Sequence, residues 1–292
     1  MVYNLVSLKP ERFAHHPSFF DDTIDAVANS IEQAGNRVVK TTNRIAVDAV
    51  NIVWGVGTHL FPSIDTFRRL ASPKNTVVFN MEQIGSDSAL VTSEYLSLLK
   101  EYVVLDYNQQ NIEALNKKVG SICRAFEFPV RPSYALNRFL GAPGGVECDA
   151  LFYGAMSQRR LKILQKLQSQ GLRVRIARGF GEELSRQIMQ SKVVLNIHLH
   201  DTAIFEVARV LRPISHGVPV LSEVSVLPTT VSWEKSGVEF FSENVFIESL
   251  CESIFKTDEC VRWSRQAVWF SSILESEAVS QVLNNVKVGL DG

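Results

Sequence analysis

Apolar and polar positions follow two rhythms in the first part of the chain. Short runs such as residues 2–8 and 76–80 are mostly apolar, whereas the stretches between them place apolar residues three or four positions apart. The first rhythm is typical of strands buried on both faces of a parallel sheet, and the second of helices that cover such a sheet. Residues 20–31 show the helical spacing, and Gly35 ends it. The pattern predicts an α/β domain over residues 1–128.

The alternation of strand-like and helix-like segments stops over residues 129–149, where prolines and glycines concentrate, and it resumes over residues 150–273. Such clusters are typical of a linker between domains. In the second stretch the spacing predicts a helix over residues 203–216, which Gly217 ends. Residues 274–292 are predicted to form an amphipathic helix that packs near the domain junction. The predicted fold class is therefore α/β, with two Rossmann-like domains that face a cleft.

Charge and cysteine content limit the kinds of ligand and macromolecule that the protein is expected to bind. The chain has 292 residues, more than one ordinary domain needs, and its 30 basic and 31 acidic side chains give a net charge of −1. Because binding to nucleic acid requires a strong basic excess, no nucleic-acid partner is predicted. The four cysteines contain no C-x-x-C pair, which argues against a zinc or redox motif.

The distribution of charge also bears on location. Residues 1–13 meet charged positions too early for a signal peptide, and no later run approaches the roughly 18 apolar residues of a membrane span. We therefore expect a cytoplasmic protein, with a peripheral association at the inner face of a membrane left open.

Ligands of open parallel sheets bind beyond the carboxyl ends of the strands, so polar residues at those ends are the candidates for chemistry. Gly154 follows the first strand of the second half, and Arg159 and Arg160 open the next helix. A glycine lets the backbone approach a ligand, while a helix N-terminus and guanidinium groups favour phosphate. The alternative is a plain turn with solvated arginines.

A second candidate group follows the strand that ends near Asn196. His198 and His200 have a spacing that would suit a metal on a strand, but no third ligand accompanies them. Hydrogen bonding to sugar hydroxyls by His198 and Glu206 fits better, with Arg209 one helical turn further on. For Glu206 the alternative is compensation of the helix dipole.

A third group lies where the helix ends at Gly217 and a buried strand delivers Ser222 and Glu223 to the ligand edge. The alternative is that this segment is an ordinary connection in which a glycine ends a helix before the next strand, with no role in binding. In the first half, polar residues that follow two strands could face the same cleft. The alternative is that they are ordinary polar residues at the protein surface. They are His15, Asn80, Glu82 and Gln83.

Three stretches resemble the donor-domain signature of a bacterial glycosyltransferase group. They are Leu-Asn-Ile-His at 195–198, Phe-Glu-Val with an arginine at 205–209, and Gly-Val-Pro-Val-Leu-Ser-Glu at 217–223. The group is related to the family 4 (group 1) retaining glycosyltransferases and has the two-domain GT-B fold. Residues 79–84 and His15 resemble its N-terminal motifs.

The resemblance extends to residues 151–160, which are similar to the opening of the donor domain, but it has one clear departure. The mainstream family carries two glutamates before the Gly-x-Pro-Val turn, the second of them five residues before the glycine. Here that position is Arg212, and Glu206 lies eleven residues before Gly217. The ribose-binding role of the second glutamate therefore cannot be carried over to this chain.

The resemblance implies transfer of a sugar from a nucleotide-sugar donor to a surface-glycan or lipid-linked acceptor, as in polysaccharide biosynthesis. It implies no cofactor and no metal, because arginines and helix N-terminal N–H groups would stabilise the leaving phosphate. Because of the departure, two alternatives stay open: a catalytically inactive binding or regulatory module of the same shape, and a nucleotide-sugar epimerase.

The resemblance also implies roles for the candidate residues, with the acceptor bound by the first domain and the donor by the second. The expected catalytic residues are Glu206, His198 and His15. The expected donor-binding residues are Gly154, Arg159, Arg160, Asn196, Arg209, Gly217, Ser222 and Glu223. The expected acceptor-side residues are Asn80, Glu82 and Gln83. We expect Glu206→Ala to nearly abolish transfer while leaving the fold intact.

Overall fold

Two parallel β-sheets organise the chain. The structure is a computed structural model that describes residues 1–57, 63–86, 88–120, 123–132, 145–199, 204–224, 233, 238–241, 246–255 and 276–291. Its contacts divide it into two units. The first contains Met1–His16, Thr23–Val130 and Glu275–Gly292, and the second contains Pro17–Asp22 and Arg131–Leu274.

The sheet of the first unit has six described strands in the order β2-β1-β3-β4-β5-β6. All of its neighbouring strands are parallel. The strands are β1 (Val2–Ser7), β2 (Arg37–Thr42), β3 (Val50–Trp54), β4 (Thr76–Asn80), β5 (Val103–Asp106) and β6 (Ala125–Glu127). The central strands β4 and β5 are buried at every position, as expected for strands covered on both faces.

Helices connect these strands, and short polar side chains begin several of them. The helices are α1 (Asp21–Gln33), α2 (Ile64–Leu70), α3 (Ser93–Glu101) and α4 (Gln109–Val119), after a short 3₁₀ turn at Glu11–Phe13. Ser63, Thr92 and Asn108 each accept a backbone N–H of the first turn, which satisfies donors that the helix itself leaves unpaired. In the core of this unit, the Trp54 and Phe79 rings stack with centroids 4.7 Å apart.

The second unit contains a five-stranded parallel sheet in the order β11-β10-β9-β7-β8. Its strands are β7 (Cys148–Tyr153), β8 (Val174–Ala177), β9 (Ser191–Asn196), β10 (Val220–Glu223) and β11 (Val238–Phe241). The helices of this unit are α5 (Gln158–Ser169), α6 (Gly181–Met189), α7 (Val207–Ser215) and α8 (Phe246–Phe255). Every residue of α7 is buried, which places this helix in the interior of the unit.

The predicted α/β class, with two parallel-sheet domains, is confirmed by these sheets. Helix α7 begins at Val207 rather than at residue 203. Residues 133–144 of the expected linker and residues 256–273 of the expected second domain lie outside the described residues. The predicted domain boundaries stay a prediction.

The last helix, α9 (Ser276–Asp291), belongs to the first unit. It contacts β5 and β6, and the backbone carbonyl of Gly289 accepts a hydrogen bond from Arg124. Val279, Leu283 and Val286 form its buried stripe, as the amphipathic pattern predicts. Its expected position near the domain junction stays a prediction. No helix among the described residues has the length and apolar character needed to span a membrane.

Candidate active site

The carboxyl ends of three neighbouring strands gather most of the candidate residues of the second unit. β10, β9 and β7 are adjacent in the sheet, and they end at Glu223, Asn196 and Tyr153. Since the strands are parallel, all three ends lie at one edge, where ligands of such sheets bind.

Glu206 lies at this edge, at the N-terminal boundary of α7. Its side chain makes no capping bond to the helix. Instead, one carboxylate oxygen, Oε2, lies 2.6 Å from Nε of Arg209 and 3.2 Å from Nη2 of Arg160. The carboxylate therefore binds two guanidinium groups rather than the helix N-terminus.

Arg160 is fully buried, which is costly for a cation unless its donors are paired. It donates through Nε to the carbonyl of Ile197 at 2.9 Å and through Nη1 to that of Ala155 at 2.6 Å. Burial lowers the pKa of Arg160 to about 10, with a contribution from the positive charge of Arg209. The group therefore remains a cation at neutral pH, held by backbone carbonyls and by Glu206.

Arg209 lies against Gly154. Its Nη1 donates to the carbonyl of Tyr153 at 2.8 Å, and its guanidinium carbon lies 5.7 Å from the centre of the Phe152 ring. A Cβ at position 154 would come within 2.6 Å of Nη1 of Arg209, and the backbone there has φ of 118°. Glycine is thus required at position 154 for two reasons, the close approach of the guanidinium and the positive φ.

Glu223 pairs with Arg159 at the same edge. Nη1 and Nη2 of Arg159 reach the two carboxylate oxygens at 2.9 and 2.5 Å, a bidentate geometry. One of these oxygens, Oε2, also accepts the backbone N–H of His198 at 2.6 Å. Glu223 thereby fixes the backbone at the histidine.

The His198 imidazole is buried, and neither ring nitrogen has a hydrogen-bond partner within the part of the chain that the structure describes. Burial lowers its pKa, against the opposing influence of Glu206 and Glu223. A neutral imidazole offers one donor and one acceptor nitrogen. The ring therefore has hydrogen-bonding capacity that a ligand could use. His200, the second histidine of the possible metal pair, lies outside the described residues.

Asn196 and Ser222 are more deeply buried than the glutamates at this edge. Asn196 donates to the Ser222 hydroxyl at 3.0 Å, and both residues are completely buried. Gly217 has φ of 72° and ends α7 before β10 begins. It therefore lies at the amino end of β10, and the structure does not bring it to the edge that holds Glu223.

A cavity of about 490 Å³ opens beside Gly154 and Arg209, and all of its lining residues belong to the second unit. This volume is within the range of small-molecule sites. The remaining lining residues are Ser18, Phe19, Asp22, Tyr153, Ala155, Ala177, Arg178, Gly179, Phe180, Gly181, Leu184, Ala208 and Arg212. Residues 18, 19 and 22 and residues 178–181, which the sequence patterns did not single out, therefore line this cavity.

Arg212 occupies the position where the resembled family has its second glutamate. It is buried and pairs with Asp22, with Nε to Oδ2 at 2.9 Å. A second contact joins its Nη2 to Oδ1 of Asp22.

In the first unit, Asn80 belongs to a buried polar network. Its amide donates to Asp106 at 2.6 Å and to the backbone carbonyl of Glu82 at 3.0 Å, and its oxygen accepts from Tyr95 at 2.6 Å. Asn111 donates to the same two acceptors. Burial raises the pKa of Asp106 to about 7. These bonds hold the segment after β4 in place.

The other first-unit candidates are nearer the surface. Glu82 is half-buried, and burial raises the pKa of its carboxyl. Gln83 is also half-buried, whereas His15 is exposed. The structure brings Asn80, Glu82 and Gln83 together after β4. Asp106 and Asn111 were missed, although Asp106 ends a strand and so meets the rule used for the other candidates.

For metals, no group of three His, Cys, Asp or Glu side chains with the geometry of an ion site occurs among the residues described. Cys123, Cys148 and Cys251 are free thiols.

Comparison with known proteins places this geometry in context. No protein-family model matches the sequence. An uncharacterized protein of Acanthamoeba polyphaga mimivirus is 29% identical over 161 residues, which cover 52% of this chain and 18% of that protein. Another uncharacterized protein from the same virus is 26% identical over 216 residues, which cover 71% of this chain and 66% of that protein. The chain spans less than two thirds of the length of either relative.

Solved structures resemble the chain over nearly its whole length. WaaG, a glycosyltransferase involved in lipopolysaccharide biosynthesis, has a TM-score of 0.55 at 11% identity, with 99% of this chain and 100% of that chain covered. An α-glucosyltransferase in complex with UDP and a DNA 13-mer has a TM-score of 0.62 at 10% identity, covering 98% and 99%. The chain has the GT-B fold. Anabaena HepE in complex with UDP-glucose shares this fold, with a TM-score of 0.57, 11% identity, and 96% and 99% covered.

These neighbours bear on two of the predictions. The GT-B class predicted by the resemblance is confirmed at the level of the fold, while the relatives found by sequence are viral rather than bacterial. One neighbour holds DNA together with UDP, so the GT-B fold itself is compatible with a nucleic-acid ligand. The absence of a nucleic-acid partner stays a prediction from charge.

Proposed function

We propose that the chain is a glycosyltransferase that takes a sugar from a nucleotide-sugar donor bound by its second unit. The observation that carries this proposal is the position of Glu206 between Arg160 and Arg209, beside the 490 Å³ cavity at the carboxyl edge of the sheet. The fold supports it, because the neighbours include α-glucosyltransferase in complex with UDP or with UDP-glucose.

The charges at this edge suit a donor diphosphate. Three guanidinium groups, those of Arg159, Arg160 and Arg209, face the two carboxylates of Glu206 and Glu223, which leaves one positive charge in excess. As the glycosidic bond breaks, negative charge gathers on the departing phosphate. Donors already fixed in position stabilise such charge without reorganising.

Arg209 is the guanidinium best placed for the phosphates, because it lines the cavity next to Gly154. The glycine lets the backbone and the bound phosphate approach each other closely. Arg160 is enclosed by carbonyls and acts through Glu206, so we assign it a positioning role. With arginines at the leaving group, the proposed transfer needs no metal ion.

Glu206 and His198 are proposed to hold the transferred sugar. A carboxylate accepts hydrogen bonds from hydroxyl groups, and a neutral imidazole can donate one and accept another. The unpartnered ring of His198 supports this role, because buried polar groups normally have partners.

The first unit is proposed to bind the acceptor through His15, Glu82 and Gln83. Asn80 is bonded to Asp106 and Tyr95, so its role is to hold the segment on which Glu82 and Gln83 lie. We propose a surface-glycan or lipid-linked acceptor. The net charge of −1 argues against the polyanionic DNA seen in one neighbour.

A second candidate function is a binding module of the same fold without catalysis. Arg212 favours it, since this position carries a buried cation paired with Asp22 where the resembled family has a glutamate. Such a module would bind the donor without releasing its sugar.

A panel of nucleotide sugars, with and without glycan or lipid-linked acceptors, tests the proposal. Thermal shift identifies the donor, because a ligand at 100 times its Kd stabilises the fold by about 2.7 kcal/mol. Release of the nucleotide then measures transfer or hydrolysis. Binding without any release would favour the module, and absence of binding would exclude both. A chelator should leave turnover unchanged, whereas loss that manganese restores would overturn metal independence.

A further inference from the structure

A buried carboxylate at the carboxyl edge of the first sheet has no role in the proposed function. Asp106 ends β5, where it is in register with Asn80 of β4, and it is completely buried. The hydrogen bonds that it accepts within the described part of the chain come from neutral amides: the side chains of Asn80 and Asn111 and the backbone of Asn108. Neutral amides offset the lost hydration of a carboxylate less than a cation would, so this charge is costly to keep.

The two side-chain amides meet at one carboxylate oxygen. Oδ2 of Asp106 accepts Nδ2 of Asn80 at 2.6 Å and Nδ2 of Asn111 at 2.8 Å. An amide turned by 180° would instead point its own oxygen at the carboxylate, which only accepts hydrogen bonds when it is ionised. The charged group therefore fixes the direction in which both amides face.

Both amides in turn hold the backbone that follows β4. Asn80 accepts the N–H of Glu82 at 3.1 Å and donates to the carbonyl of Glu82 at 3.0 Å. Asn111 donates to the same carbonyl at 2.8 Å and accepts the N–H of Ile84 at 2.8 Å. Two side chains thus fix the backbone of residues 82–84, and Asp106 orients both of them.

The groups that face Asp106 determine when it carries its charge. Glu127 lies beside it on β6, Glu82 lies on the segment that the amides hold, and Tyr95 of α3 donates to Asn80. The first turn of α4 has no acidic residue. Burial, with a smaller contribution from Glu127, raises the pKa of Asp106 to about 7, although its hydrogen bonds act in the opposite direction. The carboxylate therefore gains a proton as the pH falls through neutrality.

We propose that Asp106 is the positioning residue of the acceptor side, which holds Glu82 and Gln83 in place while its carboxylate is ionised. This inference rests on the proposed function, which assigns the acceptor to those two residues. Protonation removes the charge from Oδ2, and hydrogen bonds to a charged acceptor are about twice as strong as bonds to a neutral one. Acceptor affinity should therefore be highest above pH 7 and should fall as the pH is lowered through 7.

Stability should change in the opposite direction, which separates positioning from a purely structural role. The pKa of Asp106 is raised from 3.8 to about 7 in the folded protein, so between these values the folded state binds more protons than the unfolded state. The contribution of Asp106 to stability therefore decreases as the pH rises through this window, while the order of residues 82–84 increases.

Hydrogen exchange on the full chain, corrected for the intrinsic effect of pH, tests the holding role. The probes are the backbone amides of Glu82 and Ile84. Their protection should fall about tenfold between about pH 8 and about pH 6, because two charge-assisted bonds weaken. Asp106→Asn should show the lower protection at both pH values, because a carboxamide has one acceptor oxygen where the carboxylate has two.

A second variant and a control separate this effect from general loss of stability. Asn111→Ala removes a hydrogen bond that lowers the pKa of Asp106, so the midpoint of the Glu82 exchange profile should move to higher pH. Asn51→Ala is the matched control, since Asn51 is a completely buried, hydrogen-bonded amide near the amino end of β3 in the same sheet. That variant should lower Tm and leave the pH dependence of exchange at Glu82 unchanged.

The functional readout is transfer from the panel of nucleotide sugars to octyl β-glucoside and octyl β-galactoside, as probes for a lipid-linked glycan. In the wild type, the acceptor KM should rise about tenfold between about pH 8 and about pH 6, in step with the loss of protection. Asp106→Asn should have a high acceptor KM at both pH values, and its donor KM should match that of the wild type.

Two results would overturn the inference and leave the proposed function in place. One is protection of Glu82 and Ile84 that does not depend on pH, or that depends on it equally in Asp106→Asn. The other is protection that changes as expected while the acceptor KM does not. Donor hydrolysis without transfer to either glycoside would refute the acceptor role alone, and no release of nucleotide from any donor would refute the proposed function as well.

Discussion

Replacing Glu206 by glutamine removes one negative charge from between two guanidinium groups and keeps the shape of the side chain. The side chains of Arg160 and Arg209 are 0% and 9% exposed, and that of Glu206 is 18% exposed. Breaking a fully buried pair costs about 3–5 kcal/mol, and an exposed pair contributes at most about 1. With partial exposure and a retained amide oxygen, we expect about 1–2 kcal/mol of lost stability.

The effect on catalysis should be larger than the effect on stability. A carboxylate that grips the sugar in the transition state contributes on the order of 3 kcal/mol, which is about a hundredfold in kcat/KM. That Glu206→Ala nearly abolishes transfer and leaves the fold intact stays a prediction, although alanine also removes the acceptor for both guanidinium groups. We expect a lower Tm for that variant than for Glu206→Gln.

The assay is kcat/KM beside Tm, measured with the donor that the panel identifies. Asp149→Asn is a matched control, since Asp149 pairs with Arg173 and Lys192 at the amino end of β7 and its side chain is 11% exposed. That variant should lower Tm and leave turnover unchanged. If Glu206→Gln lowers Tm while kcat/KM stays within a few-fold of the wild type, Glu206 is structural and the site is misplaced.

Two further predictions concern backbone fit and pH. Gly154→Ala should weaken donor binding and lower Tm, because the added Cβ would collide with Arg209. Gly171→Ala is the control, since Gly171 also has a positive φ, of 87°, but an added Cβ there would meet nothing within 4 Å. Calorimetry measures the donor affinity of both variants, and equal losses would contradict the role of Gly154. Burial lowers the pKa of His216 from 6.5 to about 4, so its contribution to stability is full above pH 6.5 and is lost as the pH falls through 4. Between pH 6.5 and pH 4, Tm should therefore fall by more in the wild type than in His216→Gln. If Tm depends on pH in the same way in both proteins, His216 is not the group responsible.

The fold was predictable because burial imposes a pattern on the sequence. Strands such as β4 are buried at all positions, which requires an apolar run, and the helices between them show the spacing of one covered face. The ends of helices were harder to place. Helix α3 begins at Ser93, where Thr92 caps it, and no apolar position marks this start. Helix α7 begins only after Glu206, whose side chain binds arginines instead of extending the helix.

Part of the candidate site was also predictable, because parallel strands place their carboxyl ends at one edge. That rule brought Gly154, His198 and Glu223 together without knowledge of any contact. The choice of partners was not predictable. Asp22 and Arg212 are 190 positions apart, and neither residue carries a local signal of the other. Pairing of this kind depends on tertiary geometry, which periodicity does not encode.

The assignment of residues 17–22 to the second unit has a practical consequence for dissecting the protein. The chain leaves the first unit after His16, returns to it at Thr23, and re-enters it once more at Glu275. Neither unit is therefore a continuous piece of sequence, and no single cut separates them. A fragment that starts in the linker would omit Asp22 and leave the guanidinium of Arg212 without its carboxylate. Separating the units for biophysical study would require a rearranged gene order, in which residues 17–22 are supplied by a grafted loop or an added peptide.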